Sequence, residues 1–329
     1  MVFVEPFNPF YDFQLLENKQ MKAISETLAN YTSGVIDKPT FIKSMYEDHH
    51  AAFFNYAEYI AKTNIKKIEI EDDSVIMTSR DRGIRIACSP GDFRIAPIET
   101  LNFFDYEKAE SAMMENLVSD GDTFFDIGAN IGWYSINIAA SRRATKVYCF
   151  EPIPKTYKSL AVNLELNNLH NVVAYNYGFS STAGHFPFYY YPEGSGNASS
   201  ANLTGRSDVE CVQCEVRTLD EYTNETGTRV DFIKCDVEGA ELLVFRGGIE
   251  TIKRDKPIIF SEILRKWTKK FNYNPNDIFR LFKEQGYQAF TVKENCLLNF
   301  FEMEESTIET NFFFLHSEKH VNIIQRFRK

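Results

Sequence analysis

No apolar run in the sequence approaches the roughly 18 residues that a membrane-spanning helix requires, so a membrane protein is not expected. The opening residues, Met1-Val2-Phe3-Val4-Glu5-Pro6, lack a basic stretch followed by an apolar one, and a secretory leader is not expected. Cysteines are few and scattered, six in all, at positions 88, 149, 211, 214, 235 and 296. Cys211 and Cys214 have CxxC spacing but sit alone in a strand-like run, and a zinc site would need two more ligands. Reduced thiols and a cytoplasmic location fit this usage. The triplet Asn197-Ala198-Ser199 is then a chance match to a glycosylation acceptor. Basic residues are outnumbered, 36 against 46 acidic, for a formal charge of −10. That balance argues against a nucleic-acid binder relying on general phosphate attraction. The one dense basic stretch, Arg265-Lys266-Trp267-Thr268-Lys269-Lys270, reads as a solvated helix end or loop.

What is present suits a packed globular interior. Hydrophobic residues make up 44% of the 329, and 29 Phe and 17 Tyr supply bulky core material that needs no metal or disulfide staple. Residues 1–60 read as helical, with apolar residues at three- and four-residue spacing over 21–31 and 41–61. From 66 to 98 short alternating runs predict an antiparallel meander, and a helix is expected over 106–117. From Gly121 onward strands alternate with helices, the mark of a mostly parallel sheet. Seven strands are expected, at 123–127, 146–150, 172–176, 230–235, 257–262, 287–292 and 311–316. Helices are expected at 133–141, 155–167, 240–246 and 276–285. The domain boundary is placed at 99/100, with residues 1–99 as a helical and β-meander extension serving as cap or dimer surface. The segment 189–206 is too rich in glycine and serine for core; a disordered surface loop and a substrate-facing lid stay open.

The chemistry concentrates in Phe125-Asp126-Ile127-Gly128-Ala129-Asn130-Ile131-Gly132-Trp133-Tyr134-Ser135. A strand ends at an acid, turns through two glycines and enters a helix whose first N–H groups are free. A dinucleotide site wants G-x-G-x-x-G so that a pyrophosphate can press on the middle glycine. Here Asn130 holds that middle place and Trp133 the last, which disfavours NAD or FAD. No Gly-Lys-Ser/Thr follows, so a Walker A loop is excluded. A ligand with an amino-acid end and a nucleoside remains. The helix N-terminus, Asn130 and Ser135 can serve its carboxylate, and Asp126 its ammonium or sulfonium. Glu151, 19 residues after Gly132 at the next strand end, stands where such folds place an acid against ribose hydroxyls.

These two motifs, followed by Asp231-Phe232-Ile233-Lys234-Cys235-Asp236-Val237-Glu238-Gly239-Ala240-Glu241, resemble the FkbM family of methyltransferases over about residues 100–316. The resemblance implies a Rossmann-like class I methyltransferase fold, S-adenosylmethionine as methyl donor, and a hydroxyl of a sugar or other small metabolite as acceptor. It assigns Asp126, Gly128, Asn130 and Gly132 to the methionine part of the donor, Glu151 to its ribose, and the Asp236–Gly239 turn to the acceptor side. Asp236 and Glu238 end a strand before a helix, and ligands of open α/β sheets sit beyond strand ends. An alcohol acceptor must lose its proton as the new bond forms. Asp236 or Glu238 is expected as the base; a divalent cation held by both is the less favoured alternative, because no third oxygen ligand is evident. Glu238 also fits as a first-turn acid answering the helix dipole. Lys234 is expected to pair with a nearby carboxylate, His185 to be a surface or packed residue, and Trp133 and Tyr134 to pack. The competing functions are a methyltransferase of a peptide or protein carboxylate or amide, and a non-catalytic nucleoside-binding protein or NAD-type oxidoreductase. A homodimer is left open.

Overall fold

The structure, a computed structural model, describes residues 23–71, 74–191 and 194–329. The chain divides into two compact units, Met1–Lys62 and Thr63–Lys329. In the first, α1 (Ile24–Thr32) is followed by α2 (Lys38–Met45), a π-helical turn (Tyr46–His50) and α3 (Ala51–Ile60). The side chain of Asp37 accepts the Thr40 N–H at 3.0 Å, and Pro39 takes a first-turn place where no N–H is needed. Tyr31 stacks on Phe41 with centroids 4.5 Å apart, which folds α1 against α2. The helices expected at 21–31 and 41–61 are therefore present, except that residues 21 and 22 lie outside the described part.

The second unit opens with strands β1 (Ile65–Ile70), β2 (Val75–Ser79) and β3 (Arg85–Cys88), the expected antiparallel meander, then α4 (Ala96–Phe103) and α5 (Lys108–Leu117). The alternating section follows: β4 (Thr123–Ile127), α6 (Trp133–Ser141), β5 (Lys146–Phe150), α7 (Pro154–Leu166), β6 (Val172–Tyr175). Then come β7 (Gly178–Phe179), β8 (Gly184–Tyr191), β9 (Gly194–Ser199), β10 (Glu210–Arg217) and α8 (Leu219–Thr226). The chain continues through β11 (Phe232–Cys235), α9 (Glu241–Arg246), α10 (Ile249–Asp255), β12 (Ile258–Glu262), α11 (Arg265–Thr268) and α12 (Asn276–Glu284). It closes with β13 (Tyr287–Lys293), β14 (Cys296–Phe300), β15 (Asn311–His316) and α13 (Val321–Phe327).

The main sheet runs β14-β13-β15-β12-β11-β4-β5-β6, with the strands from β12 to β6 parallel and the pairs β12–β15, β15–β13 and β13–β14 antiparallel. This is a Rossmann-like α/β sheet whose order reverses at β4, so the crevice lies beyond the carboxyl ends of β4 and β11. Alternation of side chains splits each strand between two cores. Phe125, Ile233, Phe312 and Phe314 face one side, under α8, α9, α10 and α12. Phe124, Phe232, Phe260 and Phe313 face the other, under α5, α6, α7 and α13. With both faces covered, the central strands read as continuous apolar runs. Among the described residues no helix is long and apolar enough to cross a membrane.

Two expectations are revised. The sheet has eight strands, not seven, because β13 and β14 form a hairpin. Its Glu294-Asn295 turn takes positive φ at both positions, 50° and 60°, without the glycine that normally marks such turns. The glycine- and serine-rich segment is not a loop throughout: β9 pairs with β8 in a second, four-stranded sheet ordered β7-β10-β8-β9. The meander lies within the second unit. There Ile84 and Ile86 pack against Ile131 and Ile136. Two asparagines of α7 complete the edge of β3: Asn163 accepts the Ala87 N–H at 2.8 Å, and Asn167 accepts the Arg85 N–H at 2.9 Å and donates to its carbonyl at 2.7 Å. Asn163 also donates to the Ile131 carbonyl at 2.9 Å, joining the meander to the turn after β4.

Candidate active site

A cavity of about 330 Å³ opens at the reversal point of the sheet, and its wall includes Gly128, Asn130, Glu151, Asp236 and Glu238. The turn after β4 is held by two N–H groups, of Gly128 and Ala129, donating to the Phe150 carbonyl at 3.0 and 3.1 Å. Gly128 sits at φ 74°, and a Cβ there would lie 1.9 Å from the Asp236 carbonyl oxygen. Glycine is required because two turns, after β4 and after β11, cross in contact. At Gly132 (φ 90°) a Cβ would meet Leu160 at 2.5 Å, so this glycine seats α6 against α7 instead of touching the cavity.

Glu151 is 6% exposed and its two oxygens accept the N–H groups of Asn130 and Ile153, each at 3.0 Å. Burial pushes its carboxyl up to about 7 against the pull of those donors. It still has acceptor capacity toward the cavity, since a carboxylate offers about four lone-pair sites. Beside it, Thr156 of α7 is 4% exposed, lines the cavity, and its Oγ1 has no hydrogen-bond partner.

Asp126 and Ser135 lie behind the cavity wall. Both are fully buried, and Ser135 Oγ donates to Asp126 Oδ2 at 2.6 Å. Asp126 Oδ1 stands 3.2 Å from Lys234 Nζ. That ammonium also donates to the Gly128 carbonyl at 2.7 Å and lies 3.6 Å from Asp236. Burial alone would lower the lysine's pKa, but the two aspartates outweigh it and hold the group above its ordinary value. Lys234 is thus the expected ion-pair partner, and it ties the β4 turn to the β11 turn.

The cavity also has an acidic wall. Asp236 directly follows β11, Glu238 comes two residues later in a left-handed conformation at φ 52°, and Glu262 ends β12. One carboxylate oxygen from each lies within 4.8 Å of the others. Cys235 and Ser261 are register partners in the parallel pair, so Asp236 and Glu262 leave their strands side by side. Glu238 does not act as a helix-dipole acid of α9; its Oε2 is buried with no hydrogen-bond partner. Burial and then the neighbouring acids, Asp236 first, push Glu238 and Glu262 well above the ordinary carboxylate range. Glu241 supplies the turn's capping instead, accepting from Val237 N–H at 3.2 Å and Gly239 N–H at 3.0 Å. A fourth acid, Glu107, enters from the start of α5, beside the Tyr134 hydroxyl and 3.1 Å from Asn311 Nδ2, and burial raises it to about 7.

The second sheet walls the cavity with Ser195, Gly196 and Ala198. Ser195 donates to Asp92 through its N–H (3.1 Å) and its Oγ (2.9 Å), and Ser199 Oγ donates to the Glu238 carbonyl at 3.0 Å. The glycine- and serine-rich segment is therefore fastened at two places.

Sequence reasoning missed Glu262, Glu107 and Thr156. Glu262 carried the same strand-end signal as Asp236. Glu107 and Thr156 carried none, because only folding places them at the cavity. His185 lies on β8, paired opposite Glu215. Cys211 is exposed and Cys214 buried on the same strand, an arrangement unlike a paired-ligand site.

Residues 126–289 match the model of the methyltransferase FkbM domain. The chain is similar to methyltransferase sdnD of Sordaria araneosa, 32% identical over 151 residues, covering 37% of this chain and 58% of that protein. It is also similar to the 2-O-methyltransferase NoeI of Sinorhizobium fredii, 26% identical over 170 residues, covering 47% and 68%. A crystal structure of methyltransferase FkbM from Methylobacillus flagellatus aligns with a TM-score of 0.40 at 16% identity, over 60% of this chain and 44% of that one. The match thus spans less than two thirds of the length of methyltransferase sdnD.

Proposed function

We propose that this chain, whose residues 126–289 match the model of the methyltransferase FkbM domain, transfers a methyl group from S-adenosylmethionine to a hydroxyl of a sugar or other small metabolite. The observation that carries this reading is one cavity whose lining brings Gly128, Asn130 and Glu151 together with the acids Asp236 and Glu238. The Asn130 backbone and the turn receive the methionine part of the donor, and the spare lone pairs of Glu151 receive the ribose diol. Asp126 and Ser135 act from behind by fixing Lys234 and the start of α6, instead of touching the donor as expected from sequence.

The reaction is an in-line displacement at the sulfonium methyl. The acceptor oxygen–carbon bond forms, the sulfur–carbon bond breaks, and its electron pair stays on sulfur as S-adenosylhomocysteine. The donor is already activated, so alignment accounts for much of the rate. The hydroxyl proton passes to Asp236 or Glu238, carboxylates that line the cavity. That one relative is named a 2-O-methyltransferase supports oxygen as the acceptor atom.

Calorimetry with S-adenosylhomocysteine and with NADH tests the donor; binding of the nicotinamide alone would overturn the reading. A labelled-methyl assay across sugars, peptides and carboxylates tests the acceptor, and label on peptides alone would replace it. Asp236→Asn and Glu238→Gln are each expected to lower turnover at saturating donor by about 100-fold, and near-normal turnover in both would remove the acidic turn from the chemistry.

A further inference from the structure

We propose that Asp236, Glu238 and Glu262 together form a site for one divalent cation of the Mg2+ or Mn2+ class, which takes the acceptor hydroxyl as a further ligand. The acceptor part rests on the methyl-transfer reading; cation binding does not.

Three observations carry it. The three residues present one oxygen each, all within 4.8 Å of one another, from two adjacent strand ends whose register is fixed by the Cys235–Ser261 pairing. Carboxylate oxygens are hard ligands, the kind Mg2+ and Mn2+ select. The second observation is independent of the cluster's composition. Glu238 Oε2 is shut off from solvent and has no hydrogen-bond donor, although an orphaned carboxylate oxygen is costly to bury. A cation held by the three carboxylates would complete it. The third concerns the cations already present. Lys234 Nζ is 3.6 Å from Asp236 but is shared with Asp126 and the Gly128 carbonyl. Arg94 at the cavity wall is 3.8 Å from Glu99. Among the described residues neither of these, nor Lys266, which also lines the cavity, forms an ion pair with Glu238 or Glu262.

Three protein oxygens leave open positions on an octahedral cation for the acceptor. A bound hydroxyl is polarised and loses its proton more readily. The displacement is otherwise as above, with that proton released to solvent, so Asp236 and Glu238 serve as ligands instead of proton acceptors. A vicinal diol, as in a sugar, would fill two open positions.

The test uses the full chain, freed of metal by a chelator. Mn2+ and Mg2+ are titrated calorimetrically, and bound Mn2+ is counted by electron paramagnetic resonance without donor or acceptor. One Mn2+ per chain is expected. Glu262→Gln and Glu238→Gln are each expected to weaken it at least tenfold, and Glu225→Gln, a surface acid paired with Arg217, to leave it unchanged. Retained S-adenosylhomocysteine binding shows that each variant is folded; if Glu262→Gln fails that check, Glu262→Asp replaces it, with the same weakening expected. No stoichiometric Mn2+ in the wild type, or equal affinity in both site variants, overturns the proposal. Homocysteine-compound binding without Mn2+ leaves methyl transfer standing and removes the cation; Mn2+ without that ligand does the reverse.

Discussion

Thr156 brings a hydroxyl into the cavity with nothing in the protein to bond it. Removing an unsatisfied buried hydroxyl in an isosteric change does not cost stability, whereas losing a bond to a ligand costs about 0.5–1.5 kcal/mol. Thr156→Val is therefore expected to keep or raise the melting temperature while weakening S-adenosylhomocysteine about 2- to 12-fold, with Thr156→Ser restoring affinity. Calorimetry and thermal scans check both; equal affinity in all three proteins would remove Thr156 from the donor site. His320 makes a prediction of a different kind. It is 5% exposed, its Nδ1 accepts the His316 N–H at 2.9 Å, and burial, with Lys319 and His316 adding, pushes its pKa down to about 3. An unfolded histidine takes its proton near 6.5, so between that value and about 3 the unfolded chain binds more protons. The stability this group contributes is whole above 6.5 and is lost as pH falls toward 3, by at most about 1.4 kcal/mol per pH unit. His320→Asn keeps an acceptor and cannot titrate. Its stability between pH 6.5 and 4 should fall less steeply than the wild type's in denaturant titrations, and parallel slopes would sink the assignment.

At the scale of elements, the β4 turn depends on a contact and not only on a dihedral angle. Gly128 and Gly205 have nearly the same φ, 74° and 73°, but a Cβ at 128 would meet the Asp236 carbonyl at 1.9 Å and one at 205 would meet nothing within 4 Å. Gly205→Ala isolates the dihedral cost, about 1–2 kcal/mol. Gly128→Ala adds a collision between two turns, and is expected to lose at least tenfold in donor affinity and more stability than its control. Comparable losses in the two variants would show that the crossing of the turns does not matter. Elements were legible where periodicity was strong, as in β4, β5, β11 and their helices. They were not legible where the signal lay in pairing. The β13–β14 hairpin turns at Glu294-Asn295 without glycine. The β8–β9 pair is built from residues whose composition suggests a loop, and what holds β9 is Asp92 and the Glu238 carbonyl, both distant in sequence. Helix α8 went unread although its Thr218–Glu221 capping box was visible.

For the whole molecule, the division at Lys62/Thr63 gives the meander to the cavity-bearing unit. A chain starting at Thr63 is expected to unfold cooperatively and to bind S-adenosylhomocysteine within about threefold of the full chain, a shift under 1 kcal/mol. One starting at 100 exposes Ile131 and Ile136 and strips Asn163 and Asn167 of their β3 partners; it should fail to bind or precipitate. Equal behaviour of the two truncations, by calorimetry and denaturant titration, would place the boundary at 99/100. By itself the sequence determined the parallel α/β class, the glycine-bearing turn, and the strand-end acids Glu151, Asp236 and Glu238, because each is written within a few consecutive residues and follows from local backbone geometry. Only the tertiary structure decided that Asp126 and Ser135 stand behind the wall and that Lys234 bridges two turns. It also decided that Glu262, from the neighbouring strand, and Glu107, from the start of α5, share one cavity with the acidic turn. Those relations join residues as far apart as 155 positions, 107 to 262, and are set by sheet order and side-chain packing, which no local pattern encodes.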